Sequence, residues 1–207
     1  DTQINTLAPI IEFINKNHDI KISIDTRSSE VINAFSSQNI LFVNDVSSGF
    51  HDMNMLKTVS HLKCNYIMTH MPAEHQKGLN KKYNNVLDEL NIFFNERIRS
   101  CIEQGIGKEK IIIDPGIGFG KSGDDNIKIL ENINVLKSIH TNICIGSSNK
   151  RFSSKLFDGI ETKDDLKVAN LATFAVSSLR GATYLRVHDV DITKDTIMII
   201  DQVKNAS

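Results

Sequence analysis

A polar or charged side chain closes each of the chain's short apolar runs: Asp25, Asn44, His70, Asp114, Ser147 and Ser148, then Arg186 and His188. Carboxylates and amides can accept hydrogen bonds from a ligand at fixed angles, and a guanidinium can grip an anion with two parallel bonds. The most informative stretch is IIIDPGIGFGKS, residues 111–122. It has the glycines of a phosphate cradle but fails both templates. A Walker A loop needs glycine where Pro115 stands, and the third glycine of a dinucleotide fingerprint falls on Lys121. What remains is Asp114 at the end of a strand-like run, a proline that stops the strand, and glycines that let the loop approach a ligand closely.

Taken singly, each residue has an ordinary explanation. Asp25 is well placed to cap the helix that follows it. His70 reads as a strand-end histidine that supports a site without touching its ligand. Ser147 and Ser148 lack the G-x-S-x-G frame of a nucleophile elbow. Lys150 lies beyond a strand end with no carbonyl chemistry around it, which disfavours a Schiff-base role.

The elements that must position these residues alternate along the chain. IKISID (20–25), ILFVND (40–45), NYIMTH (65–70), KIIIDP (110–115), NICIGSS (142–148) and TYLRVHD (183–189) are too short and too β-branched for helices, and they suit strands buried on both faces. Between them run helical patterns. SSEVINAFSSQN opens at Ser28, a cap candidate, and YNNVLDELNIFFNERIRSCIEQG stops at Gly105. KDDLKVANLATFAVSSLRGA stops at Gly181, and HDMNMLKTVSH has helical spacing. The fold class expected is α/β, and a polar residue at every strand end is how a (β/α)8 barrel builds its site on one face. Six of eight units are readable, and the chain opens in a helix with Leu7, Ile10, Ile11 and Ile14 on one face. A barrel of ~250 residues therefore predicts about two βα units on the N-terminal side of residue 1, with residues 1–207 forming a single barrel domain.

Composition narrows the function classes. With 207 residues, 40% hydrophobic and a net charge of -1, the chain lacks the basic excess of a non-specific nucleic-acid binder. No run of membrane length and no targeting segment is present, so the expectation is a cytoplasmic protein with no membrane partner. Cys64, Cys101 and Cys144 are odd in number and widely spaced, and they read as buried small hydrophobes.

Read together, ISIDT (22–26), VNDVS (43–47), HM (70–71), DPGIGFGK (114–121), GSSNKRF (146–152) and LRVHDV (185–190) resemble the signature motifs of dihydropteroate synthase, in that family's order and over essentially the whole chain. The resemblance implies a pterin-binding barrel. It condenses 6-hydroxymethyl-7,8-dihydropterin diphosphate with p-aminobenzoate, with Mg2+ on the diphosphate. It places Asp25, Asn44, Asp114, Lys150 and Arg186 at the pterin, Arg186 and His188 at the diphosphate, and Phe119, Lys121 and Lys150 on the p-aminobenzoate side. Asp114, Lys150 and Arg186 are its catalytic positions. It puts the family's metal ligand in an N-terminal loop with no counterpart here, so no metal ligand is expected in this chain. It also implies a homodimer, a sulfonamide target, and in some members fusion to a pterin diphosphokinase. Two alternatives stand beside it: a non-catalytic pterin-binding remnant and a corrinoid-linked methyltransferase.

Overall fold

All six apolar runs become strands that stop within two residues of the polar residue that closes them. They are β1 (Ile22–Asp25), β2 (Ile40–Asp45), β3 (Asn65–Thr69), β4 (Ile111–Asp114), β5 (Cys144–Ile145) and β6 (Tyr184–Leu185). The computed structural model describes residues 2–148 and 162–206. Strands β1 to β4 lie in sequential order, and β5 pairs with β6. A parallel bridge from Ile113 to Ile143 joins β4 to the start of β5. The registers of β1 with β2, β2 with β3 and β5 with β6 are parallel. Parallel strands in chain order, with helices in the connections, have the connectivity of a (β/α)8 barrel; six such units are present among the described residues and the fold is α/β.

The helices follow the periodicity of the chain. α1 (Thr2–Asn17) buries Ile11 from its apolar face. Ile10 on that face is half exposed, and Leu7 and Ile14 are partly covered. α2 (Ser29–Ala34) starts after Ser28 as expected, but the Ser28 side chain makes no capping bond. The Ser29 N–H donates instead to Asp52 Oδ2 at 2.7 Å, a cap brought from a distant loop. α3 (Met55–Leu62) occupies the helical stretch after β2, and the short α4 (Ala73–Gln76) follows β3. α5 (Val86–Glu103) is followed by Gly105 at φ 89°. α6 (Gly123–Glu131) opens with a reciprocal capping box between Ser122 and Asp125, and α7 (Ile133–Leu136) extends it. α8 (Lys163–Leu179) has the same box between Thr162 and Asp165, and Gly181 follows it at φ 102°. α9 (Val190–Asn205) was not among the helices read from the sequence.

Two compact units divide these elements. The first gathers the chain up to Thr69 together with Asn95–Ile112, and the second gathers His70–Phe94 with the chain from Ile113. Val43, Met55, Val59, Tyr66 and Ile111 are buried in the first; Leu90, Ile113, Ile129, Ile145 and Phe174 are buried in the second. Cys64, Cys101 and Cys144 are free and buried, as their spacing predicted. Burial raises all three thiols, Cys101 to about 12, so they pack as neutral hydrophobes. No helix among the described residues is long and apolar enough to cross a membrane.

Candidate active site

In the first unit, register brings Asp25 beside Asn44, because the parallel pairing of β1 and β2 sets those two residues opposite each other. Asn44 Nδ2 donates to Asp25 Oδ2 at 2.7 Å. Asp25 is therefore not a helix cap; its carboxylate is exposed and partly held by a neighbouring amide. Asn44 is 2% exposed, and its Oδ1 is buried with no hydrogen-bond partner among the described residues. A buried unpaired acceptor costs about 1–3 kcal/mol, which a ligand N–H would recover.

One residue further on, Asp45 has a different role that the sequence reading missed. Successive strand residues face opposite sides of a sheet, so Asp45 points away from Asn44 and towards Tyr66. It is 0% exposed. Its Oδ1 accepts from Ser47 N–H at 2.8 Å and Ser47 Oγ–H at 2.6 Å. Its Oδ2 accepts from Gly49 N–H at 2.7 Å and Tyr66 O–H at 2.8 Å. Nearby, the Arg97 guanidinium lies 4.3 Å from the centre of the Phe50 ring. Burial, and then the Asp45 carboxylate, push the Tyr66 phenol well above its ordinary range, so it stays a donor. The period of two, applied to VNDVS, was the signal that separates Asn44 from Asp45.

In the second unit Asp114 ends β4, 1% exposed. Its Oδ1 accepts from Gly116 N–H at 2.8 Å, and its carbonyl accepts from His70 N–H at 2.9 Å. Gly116 has φ 71°, and a Cβ there would lie 2.1 Å from His70 O, so only glycine fits. Lys121, 4% exposed, turns its ammonium into the loop. It donates to the carbonyls of His70 at 3.1 Å, Gly116 at 3.0 Å and Phe119 at 3.2 Å. Its ammonium is thus spent on the loop's own carbonyls, which leaves the methylene stem as the part that can face elsewhere. Phe119 is partly exposed, with its ring 5.0 Å from that of His75. Asn126, fully buried and unanticipated, accepts from Gly118 N–H at 2.8 Å and donates to Ser122 O at 2.7 Å.

His70 is buried against Phe93, with ring centres 4.8 Å apart. Burial, followed by the nearby Lys121 and Lys81 charges, pushes its pKa down to about 2, so the ring is neutral. It supports the loop, as expected, through its backbone.

Arg186 and His188 follow β6. Arg186 N–H donates to Ile145 O at 3.0 Å, and its guanidinium lies against Gly146. His188 Nδ1 lies 2.8 Å from Ser148 Oγ. Below them, the buried Cys144 thiol is raised by desolvation, then by Asp114, and is lowered by Arg186. Asp114 and Arg186 therefore both lie within electrostatic reach of Cys144. Ser147 is fully buried, its Oγ without a partner among the described residues. Lys150 lies outside the described residues.

No group of three or more His, Cys, Asp and Glu side chains is gathered to hold a metal among the described residues.

A parallel βα fold with an acid and an amide at adjoining strand ends, a buried acid at another, and an arginine and histidine after the last strand defines a (β/α)8 protein. Within the first unit, the Asp25 carboxylate and the Asn44 Oδ1, which has no partner among the described residues, are acceptors of the kind a ligand's N–H groups use. The chain belongs to the family described as pterin binding enzyme, whose profile matches residues 1–188. It is 30% identical to the mitochondrial folate synthesis bifunctional protein of Pisum sativum, over 98% of this chain but 42% of that protein's length. It is 27% identical to the dihydropteroate synthase of Escherichia coli, over 100% of this chain and 72% of that enzyme. Among solved structures it resembles Xanthomonas albilineans dihydropteroate synthase in complex with 7,8-dihydropteroate. The TM-score is 0.86 at 32% identity, covering 95% of this chain and 73% of that one.

Proposed function

We propose that the chain carries the pterin-binding and catalytic residues of a dihydropteroate synthase, a transferase of folate biosynthesis. It would join 6-hydroxymethyl-7,8-dihydropterin diphosphate to p-aminobenzoate, releasing pyrophosphate. The observation that carries this reading is the buried Asn44 Oδ1, with no partner among the described residues, beside the Asp25 carboxylate. A pterin edge is a row of ring N–H, amino and carbonyl groups, which needs such acceptors. The product-bound Xanthomonas relative and the family match support the same assignment.

In this reaction the C–O bond to the diphosphate breaks and its electron pair leaves on pyrophosphate. The aryl amine then forms the C–N bond and gives up a proton. Carboxylates at Asp25 and Asp114 stabilise the positive charge that develops on the pterin, while Arg186 and His188 stabilise the leaving anion. Arg186 suits this position because a planar guanidinium can stack on a ring and still bond a phosphate. Lys150 donates to the pterin, and Phe119, the Lys121 stem and Lys150 border the p-aminobenzoate. Mg2+, when bound, would neutralise charge on the diphosphate. A cytoplasmic homodimer that sulfonamides inhibit by competing for the p-aminobenzoate position, and fusion to a pterin diphosphokinase, belong to the same reading. The pea relative's bifunctional name supports the fusion.

Pyrophosphate release from the full-length natural polypeptide, with both substrates and with each omitted, tests the assignment. Lys150→Ala and Arg186→Ala are each expected to lower kcat/KM at least a hundredfold, since both remove a charge aimed at a desolvated ligand. A Lys150→Ala protein as active as its parent would sink it. Pterin binding by calorimetry without pyrophosphate release would instead identify a non-catalytic binder.

A further inference from the structure

We propose that the end of β5 is a positioning platform, on which Gly146 sets the Arg186 guanidinium and Ser148 sets the His188 imidazole. This rests on the reading that Arg186 and His188 hold a diphosphate. Parallel register places Cys144 opposite Tyr184 and Ile145 opposite Leu185. Continuing it sets 146 beside 186 and 148 beside 188, and the period of two puts both pairs on one face. The contacts agree. A Cβ at Gly146 would lie 2.9 Å from Arg186 Nη2, 3.1 Å from Nε and 3.3 Å from Cζ. Gly146 is not among the glycines with positive φ, so its backbone does not demand glycine. What demands it is the guanidinium that lies across it. Because a side-chain end gives way more readily than backbone, a methyl at this position displaces Arg186 and leaves the strand intact.

Ser148 acts on the other member of the pair. Its Oγ, on a residue 7% exposed, lies 2.8 Å from His188 Nδ1. With the hydroxyl donating to Nδ1, the neutral imidazole carries its proton on Nε2 and offers that N–H to an anion. Without the hydroxyl, the ring is free to rotate and to carry its proton on Nδ1, which leaves Nε2 an acceptor and a poor partner for a diphosphate. One strand end thus orients both anion donors supplied by the next.

Calorimetric titration with inorganic pyrophosphate, and separately with 6-hydroxymethylpterin, which has no diphosphate, tests the proposal on the full-length polypeptide. Ser148→Ala is expected to weaken pyrophosphate about five- to tenfold while pterin affinity stays within about twofold; Ser148→Thr, which keeps the hydroxyl, restores it. Gly146→Ala, by moving a charged donor, weakens pyrophosphate about tenfold to a hundredfold with an unchanged melting temperature. The proposal is overturned if the parent does not bind pyrophosphate, if Ser148→Ala binds it as the parent does, if Thr fails to restore it, or if pterin affinity falls in parallel. The expected binding pattern in a protein that releases no pyrophosphate from its substrates would uphold the platform and overturn only the enzymatic reading.

Discussion

The loop after β2 is wound round a buried carboxylate, and the loop after β4 round a buried ammonium. Asp45 collects two N–H and two O–H donors from Ser47, Gly49 and Tyr66. Lys121 collects the carbonyls of His70, Gly116 and Phe119. In each case fixed backbone dipoles replace the water that a charge loses on burial, with opposite polarity. The difference from Asp25, which is exposed and held by one amide, shows that an acid at a strand end is not a ligand group by type alone. The face of the sheet it occupies decides.

Asp45→Ala is the most direct way to break the first loop. It leaves the donors of Ser47, Gly49 and Tyr66 without an acceptor, and urea titration is expected to show a loss of about 3–5 kcal/mol. A loss below about 1 kcal/mol would mean that the loop does not depend on its carboxylate. Lys121→Met keeps the stem and removes the charge. Three carbonyls lose the ammonium's hydrogen bonds, and the expected loss is about 2–4 kcal/mol.

The smallest effect joins the second loop to pH. His70 is neutral in the folded protein, with a pKa of about 2 against an ordinary 6.5. Between those values the unfolded chain binds the extra proton, so this stabilising contribution is complete above pH 6.5 and declines as pH falls. The slope is about 1 kcal/mol per unit between pH 6 and 4. His70→Gln should flatten that part of the stability profile. Lys121→Met should make the decline level off at a higher pH, since Lys121 is one of the charges that disfavour His70 protonation. A profile unchanged by either substitution would show that the ring titrates in the native state.

Much of the architecture was legible locally. IKISID, ILFVND, NYIMTH and KIIIDP each contain a strand that ends within a residue of the polar position read from the sequence, because a run of β-branched residues can bury itself on both faces only as a strand. Gly105 and Gly181 stood out as helix stops and do follow helix ends with left-handed backbone. The Ser28 cap did not hold, because Asp52, distant in the chain, supplies the acceptor. Asp45, Asn126 and Ser148 carried no assigned role, since their partners lie on other elements. Lys121 was placed on the p-aminobenzoate side by the resemblance alone, and only its hydrogen bonds reveal that the ammonium faces inward.

The amino-acid order alone therefore determined the alternation of strands and helices and the chemical types waiting at the strand ends, because hydrophobic period and turn chemistry act over a few residues. Tertiary structure decided which charges are buried and satisfied by the protein's own groups and which stay exposed. The environment of a charge is made by groups far away in the chain: Tyr66 for Asp45, His70 for Lys121, Gly146 for Arg186. No local pattern encodes those distances.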